Sequence, residues 1–220
     1  MGKVMVYQGA IIPEESNVLS MSEVSTWNRY ARGEIKVNGY VDYDSVAKQL
    51  QWDAPCELAF MASDHLLVGP TLDIGCGSGL AGEGLITLGH VIDGMDFSRG
   101  MLEKAKTRGY SDTYCQDVRL PIQARTNKNK PEYANIISCG LFGDFIDPKF
   151  LQVHVQYLQE QASVCIAGRS DRYCSRGFFG KTLTSVLEEE GFSIKKEEEK
   201  VGHVDEHGRP VHYTFVDATR

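Results

Sequence analysis

One stretch constrains this chain more than any other: Leu72-Asp73-Ile74-Gly75-Cys76-Gly77-Ser78-Gly79-Leu80. A short apolar run ends at Ile74, glycines follow at alternate positions, and a helical pattern opens behind them, with Ala81, Leu85 and Leu88 at i, i+4 and i+7. Alternate glycines reach backbone angles closed to other residues and let a ligand approach with no Cβ in between. The helix start presents N–H groups and the positive end of a dipole, which suit a carboxylate or a phosphate. Strand, glycine turn and helix in that order predict an α/β fold with a ligand at the turn.

The rest of the chain extends this pattern. Apolar runs recur at Thr71–Ile74, Val91–Met95, Asp112–Cys115, Ala134–Cys139 and Val164–Ala167. Between them lie helical faces such as Leu151, Val155 and Leu158, or Phe179, Leu183, Val186 and Leu187. Such alternation predicts a parallel sheet covered on both sides. The end differs: Phe192 and Ile194 lead through a charged run to Val201, then a Gly/Pro turn at 205–210, then Val211–Val216. That reads as an antiparallel hairpin. The expected core over residues 70–220 is a seven-stranded, mostly parallel sheet with one antiparallel C-terminal hairpin strand and helices on both faces. Residues 1–69 read as an N-terminal helical cap or lid, with helices at Val24–Arg32 and Asp44–Leu67, the second broken at Pro55. This segment has too few apolar residues for a core of its own.

Composition removes several function classes. With 220 residues, the chain fits one domain. A net charge of −7 argues against a nucleic acid backbone as the main partner, because phosphate binding needs a surplus of Lys and Arg. No apolar run approaches the roughly 20 residues that span a bilayer, so no membrane partner is expected. The start, MGKVMVYQGAIIP, lacks the apolar core of a signal peptide, and Val6 stands where a myristoylation signal needs Ser or Thr. The six cysteines form no C-x-x-C pair, which speaks against a zinc site and fits buried thiols in a reducing cytoplasm. His203, His207 and His212 read as a polar turn, so no metal is expected.

The choice of ligand rests on register and on acids. Gly77 to Gly82 formally fits G-x-G-x-x-G, the dinucleotide fingerprint. The strand ends at Ile74, however, so that count should start at Gly75, and its third glycine then falls on Leu80. Asp73 beside a pyrophosphate would be repulsive; beside a cation it is favourable. Asp96 closes the second strand 19 residues past Gly77, where an acid can accept from both ribose hydroxyls. Asp117 follows the third strand, where an acid can accept from an adenine amino group. S-Adenosylmethionine carries a sulfonium, an ammonium and a carboxylate, and can use both the acids and the helix N–H groups.

The segment resembles class I S-adenosylmethionine-dependent methyltransferases over about residues 70–217. Leu72–Gly79 resembles their first motif, Gly94-Met95-Asp96-Phe97-Ser98-Arg99-Gly100-Met101-Leu102 the second, and Gln116-Asp117-Val118-Arg119-Leu120-Pro121-Ile122 the third. Tyr133–Gly140 resembles the fourth strand. Ser138–Asp144, with Trp52-Asp53-Ala54-Pro55 upstream, is most similar to small Williams–Beuren-region-type proteins. The resemblance implies a Rossmann-like fold, S-adenosylmethionine as cofactor and S-adenosylhomocysteine as product. It implies cofactor contacts from Asp73, Gly75, Cys76, Gly77, Gly79, Asp96, Phe97, Met101, Asp117, Val118 and Ser138. Two departures stand out: Asn135 replaces a frequent Asp, and Gln159–Ser163 replaces a Pro-Gly-Gly turn.

Methyl transfer from a sulfonium releases a neutral thioether and needs no acid, so positioning of the acceptor dominates. The acceptor pocket is expected beyond the carboxyl ends of strands four and five. Candidate substrate contacts are Tyr30, Tyr43, Phe142, Asp144, Arg169 and Tyr173, with Tyr40 beside them. An ion pair with Asp171 is an equal reading of Arg169. No Asn/Asp-Pro-Pro-Tyr/Phe and no Pro-Cys follows strand four, which disfavours nucleobase, glutamine and cytosine-carbon methylation and leaves a small-molecule acceptor. The alternatives are a non-methylating enzyme such as a cyclase, or a regulatory binding protein, on the same cofactor-binding fold.

Overall fold

The computed structural model describes residues 4–7, 10–13, 28–34, 43–122, 132–142, 146–173, 181–205 and 207–220. Trp27, Tyr40, Asp144, Cys174, Phe179 and the 126–131 loop lie outside these residues, as does the side chain of Tyr173.

In chain order, the strands β1 (Val4–Tyr7) and β2 (Ala10–Pro13) pair antiparallel as a separate two-stranded sheet. Residues 4–7 and 10–13, expected within a helical cap segment, are thus paired strands. Helices α1 (Tyr43–Gln49) and α2 (Ala54–Ser63) follow, then β3 (Thr71–Ile74), α3 (Leu80–Thr87), β4 (Ile92–Asp96), α4 (Arg99–Thr107), β5 (Thr113–Cys115) and β6 (Tyr133–Cys139). A short 3-10 turn (Pro148–Leu151) leads into α5 (Gln152–Val155), β7 (Leu158–Arg169), α6 (Ser170–Tyr173), α7 (Leu183–Glu189), β8 (Ser193–Val204) and β9 (Pro210–Thr219).

The main sheet has seven strands in the order β5-β4-β3-β6-β7-β9-β8. Strands β5 through β7 pair in parallel, while β9 runs antiparallel to both β7 and β8. The expected architecture is therefore the observed one: a mostly parallel sheet with a single reversed strand in the C-terminal hairpin.

Burial explains why apolar runs marked the central strands. All four residues of β3 are buried, as a strand covered on both faces requires. Neighbouring residues feed opposite layers. Leu72, Ile74, Ile136 and Val164 pack with the 148–155 and α7 side, whereas Ile137, Cys165 and Phe215 pack with α2, α3 and α4. Asp73, between Leu72 and Ile74, consequently projects toward the α2–α4 side.

Three boundaries differ from the sequence reading. Pro55 does not break a long helix; it lies in the first turn of α2, where its missing N–H has no partner to lose. The break falls earlier, around Gln51, whose φ is +50°. The helical face Leu151–Leu158 ends at Val155, and Leu158 opens β7. The Gln159–Ser163 segment is no loop: β7 bulges there, with Leu158 opposite Tyr133 and Ser163 opposite Asn135. No helix among the described residues is long and apolar enough to cross a membrane.

Candidate functional site

The carboxyl ends of β3, β4 and β6 lie side by side, with Ile74 opposite Met95 and Asp73 opposite Ile137. The glycine turn leaves β3 there. Gly75, Gly77 and Gly79 have φ of +70°, +53° and +92°, values that a side chain resists. A Cβ on Gly77 would point into open space, so its freedom serves the backbone angle and access from outside. No side chain caps Gly79 at the start of α3.

Asp96 fastens the turn to the next helix. Its Oδ2 accepts from the Gly77 N–H at 3.0 Å and its Oδ1 from the Ser98 N–H at 2.8 Å. Ser98 in turn caps α4 by accepting from the Met101 N–H. Burial pushes the Asp96 carboxyl up to about 6, against these backbone bonds, which favour the ionised form. The carboxylate keeps lone-pair capacity for a ligand hydroxyl.

Asp73 lies beneath the turn and is 1% exposed. Tyr110 donates its hydroxyl to Asp73 Oδ2 at 2.5 Å and accepts from the Gly82 N–H at 3.1 Å. Asp73 Oδ1 is buried and has no partner among the described residues. Burial, reinforced by Asp96, pushes this carboxyl up to about 7 despite the Tyr110 bond.

The other expected cofactor residues divide. Asp117 is gripped by the Arg119 guanidinium, with contacts of 2.6–3.2 Å. Val118 is buried, and its carbonyl accepts from His154 Nε2 on α5. Cys76 is buried within the turn. Met101 is buried against Tyr30 and Ala31. Phe97 is half-buried, next to Asp96. Ser138 does not face the cleft with its hydroxyl, which donates to the Ile74 carbonyl at 2.7 Å and ties β6 to β3.

A small cleft opens over the turn, walled by Tyr43, Trp52, Pro55, Leu80 and Cys139 with Asp73 and Gly75–Ser78 at its base. Trp52 packs edge-on against Tyr43 at 5.7 Å, and Tyr43 against Tyr30 at 6.4 Å. The indole N–H of Trp52 is buried without a partner among the described residues.

Of the expected substrate contacts among the described residues, Tyr43 lines this cleft and Tyr30 packs behind it, while Asp144 and the Tyr173 side chain lie outside those residues. Phe142 is fully buried in the main core and serves packing. Arg169 forms a two-pronged pair with Asp171 at 2.7 and 3.1 Å. Sequence reasoning missed Tyr110, Asp44 and Asn28. Asp44 binds Ser78, Lys104 and Arg108, and Asn28 Oδ1 accepts from Ser98 and the Gly100 N–H. Nothing in the sequence marks Tyr110; in the structure Gly82 and Gly94 lack left-handed backbone and leave room for its ring.

No curated protein matches the chain at a significant level. Among solved structures, one described for the conversion of a disulfide bond into a thioacetal group during echinomycin biosynthesis shares 19% identity and a TM-score of 0.64, covering 90% of this chain and 92% of that one. Magnesium protoporphyrin IX methyltransferase from Synechocystis PCC 6803, with bound S-adenosylmethionine, shares 16% identity and a TM-score of 0.56 over 89% of this chain and 90% of its own. A putative RNA methyltransferase from Pyrococcus horikoshii shares 14% identity and a TM-score of 0.57 over 76% and 82%. Residues 72–128, which carry the glycine turn, Asp96 and Asp117, match a family described as a methyltransferase domain, and the fold of the chain is the Rossmann-like one of these methyltransferases.

Proposed function

We propose that the protein is an S-adenosylmethionine-dependent methyltransferase and that its acceptor is a small molecule. One observation carries the reading: a buried carboxylate oxygen with no partner among the described residues, Asp73 Oδ1, lies under a turn of left-handed glycines at the base of a cleft. An orphaned acceptor fits a cationic ligand group, and the open turn fits close backbone approach. The methyltransferase-domain match over the same residues, and a solved neighbour holding S-adenosylmethionine, support this cofactor. Asp73 would face its ammonium, the turn its amino-acid end, Asp96 its ribose hydroxyls, and Asp117 with Val118 its adenine edge.

When bound, this cofactor supplies a methyl group on a sulfonium, an electrophile whose departing thioether needs no proton. The work of the chain is to hold both reactants and exclude water. Tyr43 and Trp52 supply a rigid aromatic wall for that purpose. Asp73 is the only carboxylate among the described cleft residues, and its engagement with Tyr110 keeps it beneath the turn. Catalysis by positioning follows.

The narrow aromatic cleft and the net charge of −7 support a small acceptor over a nucleic acid. The likeness to Williams–Beuren-region-type proteins belongs to the same reading, since its Trp52 walls the cleft. Residues 1–69 act here as a cap on the 70–220 core.

The test starts with purified protein. Mass spectrometry should find retained S-adenosylhomocysteine, and calorimetry should show its binding without binding of NAD. Labelled S-adenosylmethionine with pools of small acceptors should then give labelled product. Tight NAD binding without adenosyl-ligand binding would sink the cofactor. Label on RNA alone would sink the small acceptor. Binding with no transfer to any acceptor would favour a regulatory protein.

A further inference from the structure

We infer that Tyr110 is a positioning residue that makes the cleft select a ligand with a positive charge beside the glycine turn; the inference rests on the cofactor reading above. Its hydroxyl has one proton and gives it to Asp73 Oδ2, while the Gly82 N–H donates to the same hydroxyl from the other side. The direction of the donated bond is thereby fixed.

The ring cannot swing away. A Cβ on Gly79, Gly82 or Gly94 would lie 2.7, 2.2 or 2.9 Å from an atom of Tyr110, so these three glycines form a slot shaped to the ring. They come from the turn, α3 and β4, which the tyrosine joins from below.

Asp73 is consequently pinned through one oxygen, its other oxygen has no partner among the described residues, and the residue lies at the base of the cleft. The ionisable groups that face it are Tyr110, Asp96 and Cys76. Burial keeps the Tyr110 phenol and the Cys76 thiol protonated, and Asp96 repels. No cationic side chain pairs with Asp73 among the described residues, so the counter-charge has to come with the ligand. Tyr110 holds a second lever. Its donated bond favours the ionised carboxylate, against burial and Asp96, which drive the carboxyl up to about 7. The tyrosine therefore keeps more of Asp73 charged at neutral pH and aims that charge.

Calorimetry on the full chain decides the matter with two probes: S-adenosylhomocysteine, which carries the ammonium, and 5′-methylthioadenosine, which lacks it. In the wild type, S-adenosylhomocysteine affinity should fall up to tenfold per pH unit from about 7 downward, while methylthioadenosine affinity stays flat until pH nears about 6, where Asp96 under the ribose takes a proton and weakens both probes alike. Tyr110→Phe should move the midpoint of the first profile upward and weaken S-adenosylhomocysteine by about tenfold at pH 7, leaving methylthioadenosine within about twofold. Equal weakening of both probes with an unmoved midpoint would reduce Tyr110 to packing and overturn the inference. Should Tyr110→Phe fail to fold, Asp73→Asn carries the test: it should flatten the S-adenosylhomocysteine profile, and an unchanged profile overturns the inference. A wild type that binds both probes with flat profiles keeps the cofactor reading and overturns this inference. A wild type that binds neither removes both.

Discussion

Ser78 donates its hydroxyl to Asp44 across 2.6 Å, and so ties the glycine turn to helix α1 some thirty residues upstream. The same carboxylate accepts from Lys104 at 3.3 Å and Arg108 at 3.1 Å, and Arg108 also donates to the Ser78 carbonyl at 2.8 Å. Turn, α1 and the end of α4 thus share one charged knot, 29% exposed at Asp44.

Asp44→Ala should destabilise the protein by about 1–2 kcal/mol in urea unfolding, because it strips a partly buried knot of its acceptor. The pH dependence has a definite sign. Burial pushes the Asp44 carboxyl up, but the bonds from Ser78 and Arg108 outweigh it and leave the group below its ordinary value. Its contribution is present above the ordinary carboxylate range and fades as pH falls through the depressed value. The wild type should lose the excess over Asp44→Ala in acid; a constant gap down to about pH 2 would contradict this.

Gly82→Ala tests why the formal dinucleotide fingerprint exists in this chain. In the structure Gly82 has ordinary backbone angles, and its Cβ would meet the Tyr110 hydroxyl at 2.2 Å and the ring carbon behind it at 2.6 Å. The substitution should cost about 1–3 kcal/mol by overpacking. Tyr110→Phe in the same chain should recover part of that cost and no more, since the ring carbon still crowds the methyl. Complete independence of the two changes in a double-mutant cycle would show that they do not touch.

Much of this fold was legible because its central strands are buried on both faces and read as apolar runs. Asp96 and Asp117 stand out in the sequence because each ends or follows such a run, and Asp73 because it interrupts one. Other features depend on partners distant in sequence. Tyr110 reads as one more aromatic before β5 until the slot of Gly79, Gly82 and Gly94 closes around it. Phe142 follows β6 directly and looked exposed to the pocket, yet it pairs with Ile146 and turns into the core. Leu158 kept the helical spacing of Leu151 and Val155 by coincidence, since one strand residue satisfies either period. Ser138 sits where a cofactor contact was expected, and its hydroxyl donates to the Ile74 carbonyl of the neighbouring strand.

Asp73→Asn should stabilise the ligand-free protein at neutral pH. Burial raises the Asp73 carboxyl to about 7, so the folded state holds a proton that the unfolded chain releases near its ordinary value of 3.8. A raised value in the fold means stability that is present below about pH 4 and lost as pH climbs toward about 7. Asparagine keeps an oxygen to accept from Tyr110 and carries no charge to desolvate. Thermal melts at pH 8 should show the variant more stable by on the order of 1–3 kcal/mol, with little difference at pH 4. Wild type and variant melting in parallel at both values would mean that Asp73 is ionised at no cost in the fold.

The final prediction concerns the lid. Within the 1–69 segment read from the sequence as a cap or lid, the described stretches 28–34 and 43–49 touch the glycine turn and the start of α4. Asn28 Oδ1 accepts from the Ser98 hydroxyl and the Gly100 N–H, both at 3.0 Å, and a Cβ on Gly100 would collide with Ala31 at 2.8 Å. Asp44 holds the other end, and Tyr43 walls the cleft. These contacts all fall on the turn or on the start of α4, the two places that Asp96 also joins. A ligand seated on Asp96 and the turn should therefore stiffen the anchors of the segment as well as its own pocket. Hydrogen exchange should show greater protection across 28–34 and 43–49 when S-adenosylhomocysteine is added, together with the Gly75–Gly79 turn. In Asp44→Ala the gain over 43–49 should shrink while the turn still responds. Equal protection of 28–49 with and without ligand, with a responding turn, would make the segment a fixed cap.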